Sequence, residues 1–301
     1  MIETKITIVT PTYNRAHTLP RVYDSLKNQT FKDFKWIIMD DGSTDNTNEV
    51  VFQFQSEGII DIDYHWNENA KKFYTVFEGI NKVTSDYFVI LDSDDAYVED
   101  GLQKMYNIIN KLDDRFISAT FNSQFPNGEL VGTEFPENFE GSILEMRYKF
   151  QIKGDKHSIF KTKKYLNYLS KFDYYNYKHK YAPQKIFFNI YDANGELSKF
   201  VNEKIRIYYQ DENDLASMSN DRVKPSSYLG LMEGYKSFLN SYGNKLFQFP
   251  NAFIRNLIGY HYYSILLDKS FKEINSSLNH FKFISFILYP FSYVYTKLKT
   301  C

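Results

Sequence analysis

Short apolar runs alternate with segments of helical periodicity through the first hundred residues, and this alternation leaves few folds open. Four runs rich in Val, Ile, Phe and Tyr have the length of strands: residues 6–10, 36–40, 60–64 and 87–91. Between and after them, apolar residues recur at the three- and four-residue spacing of one helix face. Strands that alternate with helices form a parallel sheet covered on both faces. We therefore predict an α/β fold with a mainly parallel central sheet flanked by helices.

Three of these predicted strands end in polar clusters. Residues 9–15 are Val-Thr-Pro-Thr-Tyr-Asn-Arg, residues 40–45 are Asp-Asp-Gly-Ser-Thr-Asp, and residues 92–95 are Asp-Ser-Asp-Asp. Because ligands of such sheets bind beyond the carboxyl ends of the strands, the clusters should converge on one site. Three carboxylates within four residues repel one another, and Mg²⁺ or Mn²⁺ with substrate phosphates relieves that repulsion. The last cluster therefore predicts a metal site, with a solvated acidic turn as the alternative.

These clusters, in this order and spacing, resemble the motifs of the family 2 glycosyltransferases. The resemblance is carried by Pro-Thr-Tyr-Asn-Arg at 11–15, the acidic run at 40–45, residues 69–79, and Leu-Asp-Ser-Asp-Asp at 91–95. It is specific over residues 4–110 and looser to about residue 220. The resemblance implies the type A glycosyltransferase fold and an inverting, metal-dependent transfer of a sugar from a nucleotide-sugar donor, here expected to be a UDP-sugar.

The resemblance also implies a role for each matching residue. Thr12 and Tyr13 should line the nucleoside pocket, where the tyrosine ring can pack against the base. Asp41 should accept a hydrogen bond from the base and so select uracil, with support from Asp40. Arg15 should approach the diphosphate or pair with Asp41. The implied nucleotide site comprises Pro11, Thr12, Tyr13, Arg15, Asp40, Asp41, Lys72, Asp92 and Ser93.

In the acidic cluster, the resemblance implies that Asp92 holds the ribose and that Asp94 coordinates the metal. The Mn²⁺ or Mg²⁺ ion bridges the diphosphate and stabilises the charge that develops on the leaving UDP. Asp95 should bind the ion through water or cap the next helix. Lys72 matches a family lysine at the edge of the nucleotide site.

The sequence departs from the family pattern at two places. In the third motif, Lys71 stands where glycine is usual and Phe77 where asparagine is usual, so that loop is expected to differ. At the start of the helix after the sheet, where related sequences carry an acidic general base, this chain has Gln184, whose amide cannot accept a proton at neutral pH. We favour Asp155 as the base. Two alternatives stay open: His157 is the base, or the chain binds donor but transfers poorly.

Composition excludes several classes of function. The chain has 36 Lys and Arg residues and 37 Asp and Glu residues, so it lacks the net basic charge that would predict a nucleic-acid partner. The single cysteine, Cys301, excludes intramolecular disulfides and Cys-rich zinc sites and fits a cytoplasmic protein, as does an N-terminus without a signal-peptide pattern. No glycine-rich dinucleotide or P-loop motif occurs. A non-catalytic sugar-nucleotide-binding module, motivated by Gln184, stays open.

Charge is unevenly distributed and suggests three parts. Residues 1–110 hold 10 basic and 18 acidic residues, residues 111–221 hold 16 of each, and residues 222–301 hold 10 basic and 3 acidic residues. We predict a nucleotide-sugar-binding half over 1–110 and an acceptor-binding half over 111–221. A helical, basic and aromatic C-terminal extension should follow over 222–301.

The extension also suggests a membrane-linked partner. Residues 283–295 contain no charge, but they are too few to span a bilayer, and Pro290 is expected to interrupt them. Two interpretations are open: a segment in a membrane interface, flanked by Lys282 and Lys297, or a buried terminal helix. Basic residues near a surface favour an acceptor on an anionic lipid. We expect a glycan or polyprenyl-diphosphate-linked acceptor, as in bacterial surface polysaccharide synthesis.

Overall fold

The computed structural model describes residues 4–210 and 224–300, which form two compact units. The first comprises the chain up to His179 and the segment that begins at Glu196. The second comprises Lys180–Gly195 and the helices from residue 224 onward. The predicted boundary at residue 221 lies outside the described residues, so the three-part division stays a prediction.

A nine-stranded sheet forms the centre of the first unit. Its order is β3-β2-β1-β4-β8-β6-β9-β5, and β7 pairs with β9. Strand β8 runs antiparallel to β4 and β6, and β5 and β7 run antiparallel to β9, so six of the nine strands share one direction. This confirms a mixed α/β fold around a mainly parallel sheet. The strands are β1 Ile6–Thr12, β2 Phe34–Asp40, β3 Ile62–Trp66, β4 Tyr87–Ile90, β5 Ala96–Tyr97, β6 Phe116–Gln124, β7 Glu140–Gly141, β8 His157–Lys161 and β9 Leu197–Ile207.

Six α-helices of the first unit are described, and the first four follow the predicted apolar periodicity. In the first helix, Leu19, Val22, Tyr23 and Leu26 recur every three or four residues, and all four are buried. Pro20 lies in the first turn, where its missing N–H costs no hydrogen bond. The helices are α1 Leu19–Lys27, α2 Thr47–Glu57, α3 Lys72–Ile80, α4 Gly101–Ile109, α5 Ile143–Tyr148 and α6 Thr162–Leu169.

Aromatic packing fixes the helices on the sheet. The rings of Tyr23 and Phe54 stack with centroids 4.1 Å apart, and the buried Trp36 indole donates to the Thr10 hydroxyl over 2.9 Å. Phe77, which stands at the family's asparagine position, is buried against Phe73 with ring centroids 4.8 Å apart. Phe77 is therefore part of an apolar cluster that holds α3. A polar side chain buried at this position would need a hydrogen-bond partner.

The second unit is helical, as predicted for the C-terminal part. The backbone of α8 comes so close to residue 181 that a Cβ on Gly230 would lie 1.8 Å from the Tyr181 carbonyl oxygen. No described helix is both long and apolar enough to cross a membrane. The helices are α7 Lys185–Ala193, α8 Tyr228–Ser241, α9 Pro250–Leu266, α10 Phe271–Ser276 and α11 Lys282–Thr300.

The expectation that Pro290 interrupts the C-terminal segment is wrong. Helix α11 continues through this proline to residue 300. A proline inside a helix removes one backbone hydrogen bond. Helix α11 packs against α9 and α10, and these contacts offset that loss.

Candidate active site

Three carboxylates meet in the loop that follows β4, which we call the acidic loop (residues 92–95). Oxygen atoms of Asp92, Asp94 and Asp95 lie within 4.8 Å of one another. Burial, and then the charge of Asp92, raise the pKa of Asp94. Burial likewise raises the pKa of Asp95 to about 7. Carboxylates whose pKa values are raised by burial and by a neighbouring carboxylate are suited to a hard divalent cation, which prefers oxygen ligands.

Cationic side chains surround the acidic loop. The Lys72 ammonium lies 2.7 Å from Asp92, and although burial opposes the shift, this cation lowers the pKa of that carboxyl. The Arg15 guanidinium lies 3.9 Å from Asp94. With Arg206 beside Asp95, each carboxylate has one cationic neighbour. A divalent cation and a diphosphate could therefore enter together without leaving a large net charge.

The ends of β1 and β2 lie beside each other and offer polar groups to a ligand. The two strands pair in parallel through Thr12 and Asp40. The Thr12 hydroxyl is buried and has no hydrogen-bond partner within the described part of the chain. The next residue, Tyr13, is 41% exposed. A buried hydroxyl without a partner costs free energy unless a ligand or water pairs with it, so this edge fits a polar ligand with an exposed ring beside it.

Asp41 holds the loop that leads into α3. Its Oδ1 accepts from the Ala70 N–H and from the Thr75 hydroxyl, both over 2.7 Å. Burial raises the pKa of Asp41, although these donors oppose the rise. In the same loop, Lys71 has φ of +72°, a region where glycine is favoured. Lys71 therefore adopts this conformation at a cost that glycine would not bear.

Asn14 joins the loops that follow the first two strands, and Asp40 holds the end of β2. Asp40 accepts from the Tyr64 hydroxyl over 2.7 Å and from the Ser43 N–H over 2.8 Å. The Asn14 side-chain oxygen accepts from the Thr44 N–H over 2.8 Å. Asn14 itself has φ of +53°, which asparagine tolerates better than most residues. These bonds keep the end of β1 in place beside the end of β2.

Arg206 connects the acidic loop to Asp155. Its guanidinium lies 3.1 Å from Asp95 and 3.2 Å from Asp155, and its Nε donates to the Ser123 hydroxyl over 3.0 Å. Arg206 and Asp95 are buried, whereas the Asp155 side chain is 53% exposed. Gly154 permits this placement, because a Cβ there would lie 2.3 Å from the Val131 carbonyl oxygen. Asp155 is thus an exposed carboxylate oriented by a buried cation.

His157, the alternative base, is buried in β8. Its Nε2 lies 2.7 Å from the Tyr97 hydroxyl, and the ring is almost inaccessible to solvent. Burial, and then the charge of Arg206, hold the pKa of His157 well below its usual range. The imidazole is therefore neutral, buried and already hydrogen-bonded to a tyrosine. This geometry fits a structural role and does not favour His157 as the proton acceptor.

Sequence reasoning missed three residues at the acidic loop. One is Arg206, which pairs with Asp95. Arg21 donates to the Asp94 carbonyl and lies 3.6 Å above the ring of Tyr209, whose N–H donates to Asp95. A signal existed for Arg206, since it is the one charge in the strand-like run Ile-Arg-Ile-Tyr-Tyr at 205–209.

Three predicted site residues lie in less informative surroundings. Pro11 is buried within β1, and Ser93 is buried in the acidic loop. Gln184 directly precedes α7 in the second unit. Their predicted roles stay predictions.

Comparisons with known proteins find similar sequences and similar structures. The model of the family described as glycosyl transferase family 2 matches residues 7–169. Glycosyltransferase GlyA of Streptococcus pneumoniae is 33% identical over 109 residues, which is 36% of this chain and 16% of GlyA. An uncharacterized glycosyltransferase of Rickettsia typhi is 31% identical over 110 residues, 36% of this chain and 33% of the relative. These matches span a third or less of each relative's length.

A longer match connects the chain to a Campylobacter jejuni protein. The GalNAc(5)-diNAcBac-PP-undecaprenol beta-1,3-glucosyltransferase is 24% identical over 235 residues, 76% of this chain and 72% of the relative. Among solved structures, S. aureus TarS 1-349 in complex with UDP-GlcNAc superposes with a TM-score of 0.63 at 15% identity, covering 96% of this chain and 89% of TarS 1-349. Mannosyltransferase PcManGT of Pyrobaculum calidifontis, in complex with GDP-Man and Mn2+, gives 0.52 at 12% identity, covering 100% and 85%.

Proposed function

The chain belongs to glycosyl transferase family 2, and on that premise we propose that it transfers a sugar from a UDP-sugar to a hydroxyl of a glycan or lipid-linked acceptor. One observation carries the proposal: the three carboxylates of the acidic loop lie within 4.8 Å of one another at the end of β4, next to β1 in the parallel sheet. This is the sheet edge at which ligands of parallel sheets bind.

The nucleoside is proposed to bind where β1 and β2 end. Three features support this: the Thr12 hydroxyl, which has no hydrogen-bond partner among the described residues, the exposed Tyr13 ring and the buried Asp41 carboxyl. Tyr13 offers a face for the base. Asp41 accepts from Ala70 and Thr75 through Oδ1. Its other oxygen would accept from the imide N–H of uracil, a group that cytosine lacks, and Asp40 would fix the loop from behind.

Asp94, with Asp92 and Asp95 nearby, is proposed to hold Mn²⁺ or Mg²⁺. The bound ion would act as a Lewis acid that stabilises the negative charge on the departing UDP. The protein's own contribution is to place Lys72 and Arg15 beside the diphosphate. In the structure both cations already lie next to carboxylates of the acidic loop. Asp92 would accept from the ribose hydroxyls.

Asp155 is proposed as the general base. An inverting transfer needs a group that takes the proton of the acceptor hydroxyl as the oxygen attacks the sugar's anomeric carbon. Asp155 is half-exposed, so an acceptor could reach it, and Arg206 fixes one of its oxygens. The Gln184 amide cannot take this proton.

The proposed acceptor follows from similarity and charge. The Campylobacter jejuni relative, whose name describes transfer to an undecaprenol-linked glycan, is matched over 76% of this chain. The last eighty residues carry 10 basic and 3 acidic residues. Both observations support an acceptor carried on an anionic polyprenyl diphosphate, as in surface polysaccharide synthesis.

Gln184 favours a second candidate, a non-catalytic sugar-nucleotide-binding module. Such a protein would bind UDP-sugars at the same site and release no UDP from them. The two candidates therefore differ in turnover and agree in binding.

The test is UDP release from a panel of UDP-hexoses and UDP-N-acetylhexosamines. The purified full chain is incubated with Mn²⁺, with and without an undecaprenyl-diphosphate-linked glycan. We expect slow release to water from one donor, acceleration by acceptor, and a loss of at least about a hundredfold with excess EDTA. UDP binding without release from any donor, under either condition, would favour the binding module and refute the transferase.

A further inference from the structure

Helix α11 is polar towards the protein and apolar towards the outside. Its buried side carries Ser285, Ser292 and Thr296. Its opposite side is formed by large apolar residues that are exposed, among them Phe283 at 75%, Phe291 at 71% and Leu298 at 76%. A surface helix in water normally shows the reverse arrangement. The full set of exposed apolar residues on this face is Phe283, Phe286, Ile287, Phe291, Val294 and Leu298.

The six apolar residues form one continuous stripe, which we call the outer face of α11. At 3.6 residues per turn, their positions fall within an arc of about 140° around the helix axis. The three buried hydroxyl residues fall on the opposite side. The inverted arrangement thus extends from residue 283 to residue 298, nearly the full helix.

The polar inner side is fixed by specific bonds. His261 of α9 is buried between two serines of α11, with Nε2 2.9 Å from the Ser285 hydroxyl and Nδ1 3.1 Å from the Ser292 hydroxyl. Burial lowers the pKa of His261 to about 4, so the imidazole is neutral at pH 7. The Thr296 hydroxyl donates to the Ser292 carbonyl over 2.7 Å. The two bonds between His261 and the serines hold α11 in the rotation that turns its apolar side outward.

The charges around the outer face are basic. Every charged residue of α11 is a lysine: Lys282 at its start and Lys297 and Lys299 in its last turn. Tyr293 and Tyr295 lie one turn before these two lysines, and their rings lie 5.6 Å from Lys297 and 5.2 Å from Lys299. Aromatic rings and lysines at the ends of an apolar stripe are typical of a segment at the level of lipid headgroups.

We propose that the outer face of α11 lies in the interface of an anionic membrane, with its apolar side chains among the upper acyl chains and its lysines at the headgroups. The arrangement explains why the helix is inverted, because lipid takes the place of water on its outer side. Its 19 residues extend about 28 Å, and the helix would lie along the surface, since no described helix can cross the bilayer. This inference concerns a surface separate from the nucleotide site and does not depend on the proposed donor.

The test is flotation of the full-length chain with two kinds of vesicle, phosphatidylcholine alone and an equal mixture with phosphatidylglycerol. We expect the wild type to bind the anionic vesicles, and added salt to weaken the binding. The double variant Phe291→Ser with Leu298→Ser should bind at least about tenfold more weakly. Its matched control, Phe52→Ser with Ile59→Ser, replaces exposed apolar residues of the first unit and should bind like wild type.

A second pair of variants tests the charge contribution. Lys297→Ala with Lys299→Ala should weaken binding to anionic vesicles about tenfold and leave binding to phosphatidylcholine unchanged. The control pair, Lys82→Ala with Lys171→Ala, should behave like wild type. Circular dichroism checks that each variant is folded.

Two results would overturn the proposal. One is a wild-type chain that binds neither kind of vesicle. The other is a wild type that is dimeric by light scattering without lipid and becomes monomeric in the Phe291→Ser, Leu298→Ser variant. In the second case the outer face is covered by another copy of the chain.

Discussion

The Asp155→Asn variant is expected to lower kcat by about a thousandfold, within the range that general-base catalysis contributes. Its affinity for UDP in the presence of Mn²⁺ should stay within about twofold of wild type, because asparagine keeps the size of the side chain and the proposed donor contacts lie elsewhere. The amide cannot take the acceptor proton. The measurements are initial rates of UDP release at saturating donor and acceptor, and calorimetric titration of UDP.

Asp114→Asn is the matched control, since Asp114 is a fully exposed aspartate of the same unit. It should change neither rate nor affinity. If Asp155→Asn also lost UDP affinity, the residue would belong to the donor site. If it transferred at the wild-type rate, another group would be the base.

The second large effect is expected from Arg206→Met, which removes the buried cation between Asp95 and Asp155. Losing one partner of a buried ion pair costs about 3–5 kcal/mol in the free energy of unfolding, because the other charge stays buried and unpaired. Without the guanidinium, the pKa of Asp95 rises beyond about 7, further above its unfolded value. The variant should therefore lose stability as the pH increases from about 4 through 7. Denaturant titrations at several pH values measure this.

Two further variants separate stability from positioning. Arg206→Met combined with Asp95→Asn should recover most of the lost stability, since no unpaired charge remains, yet its kcat should stay low because Asp155 has lost its partner. Arg115→Met removes an exposed arginine that pairs with Asp113 and should alter stability by less than about 1 kcal/mol. If Arg206→Met had the same free energy of unfolding as wild type, the buried ion pair with Asp95 would be contradicted.

Local sequence patterns predicted the first hundred residues well. Strands β1, β2, β3 and β4 and helices α1 to α4 occur where apolar periodicity placed them, because each buries a face that its own spacing defines. The acidic loop was predictable for the same reason. It directly follows a short apolar strand, and parallel pairing of β4 with β1 brings it to the edge where β1 and β2 also end.

Long-range pairing could not be predicted in this way. Strand β8 enters the sheet antiparallel between β4 and β6, and β9 pairs with β6 although paired residues such as Ser118 and Ser198 are 80 positions apart in the chain. Only this topology brings Arg206 to Asp95 and Asp155. The sequence marked Arg206 as a lone charge in an apolar run, but no local signal identified its partners.

The orientation of α11 is a different case. The apolar run from Phe283 was evident, and it left a membrane interface and a buried helix equally open. The distinction depends on which side faces the protein, and that is decided by His261 of another helix through its bonds to Ser285 and Ser292. Hydroxyl residues at positions 285, 292 and 296 share one helix face, so this pattern was visible in the sequence. No local pattern identified His261 as the residue that pairs with it.

We propose that the acidic loop and the ends of β1 and β2 form a site for UDP that depends on a divalent cation. Calorimetric titration with UDP, GDP and dTDP tests this most directly. Each nucleotide is titrated with and without Mn²⁺, into wild type and into Asp94→Asn, whose unchanged melting temperature serves as the control for folding. We expect UDP to bind wild type only with Mn²⁺ and more tightly than GDP, and we expect Asp94→Asn to weaken this binding at least about a hundredfold. Binding of no nucleotide, or Mn²⁺-dependent UDP binding that is unchanged in Asp94→Asn, would contradict it.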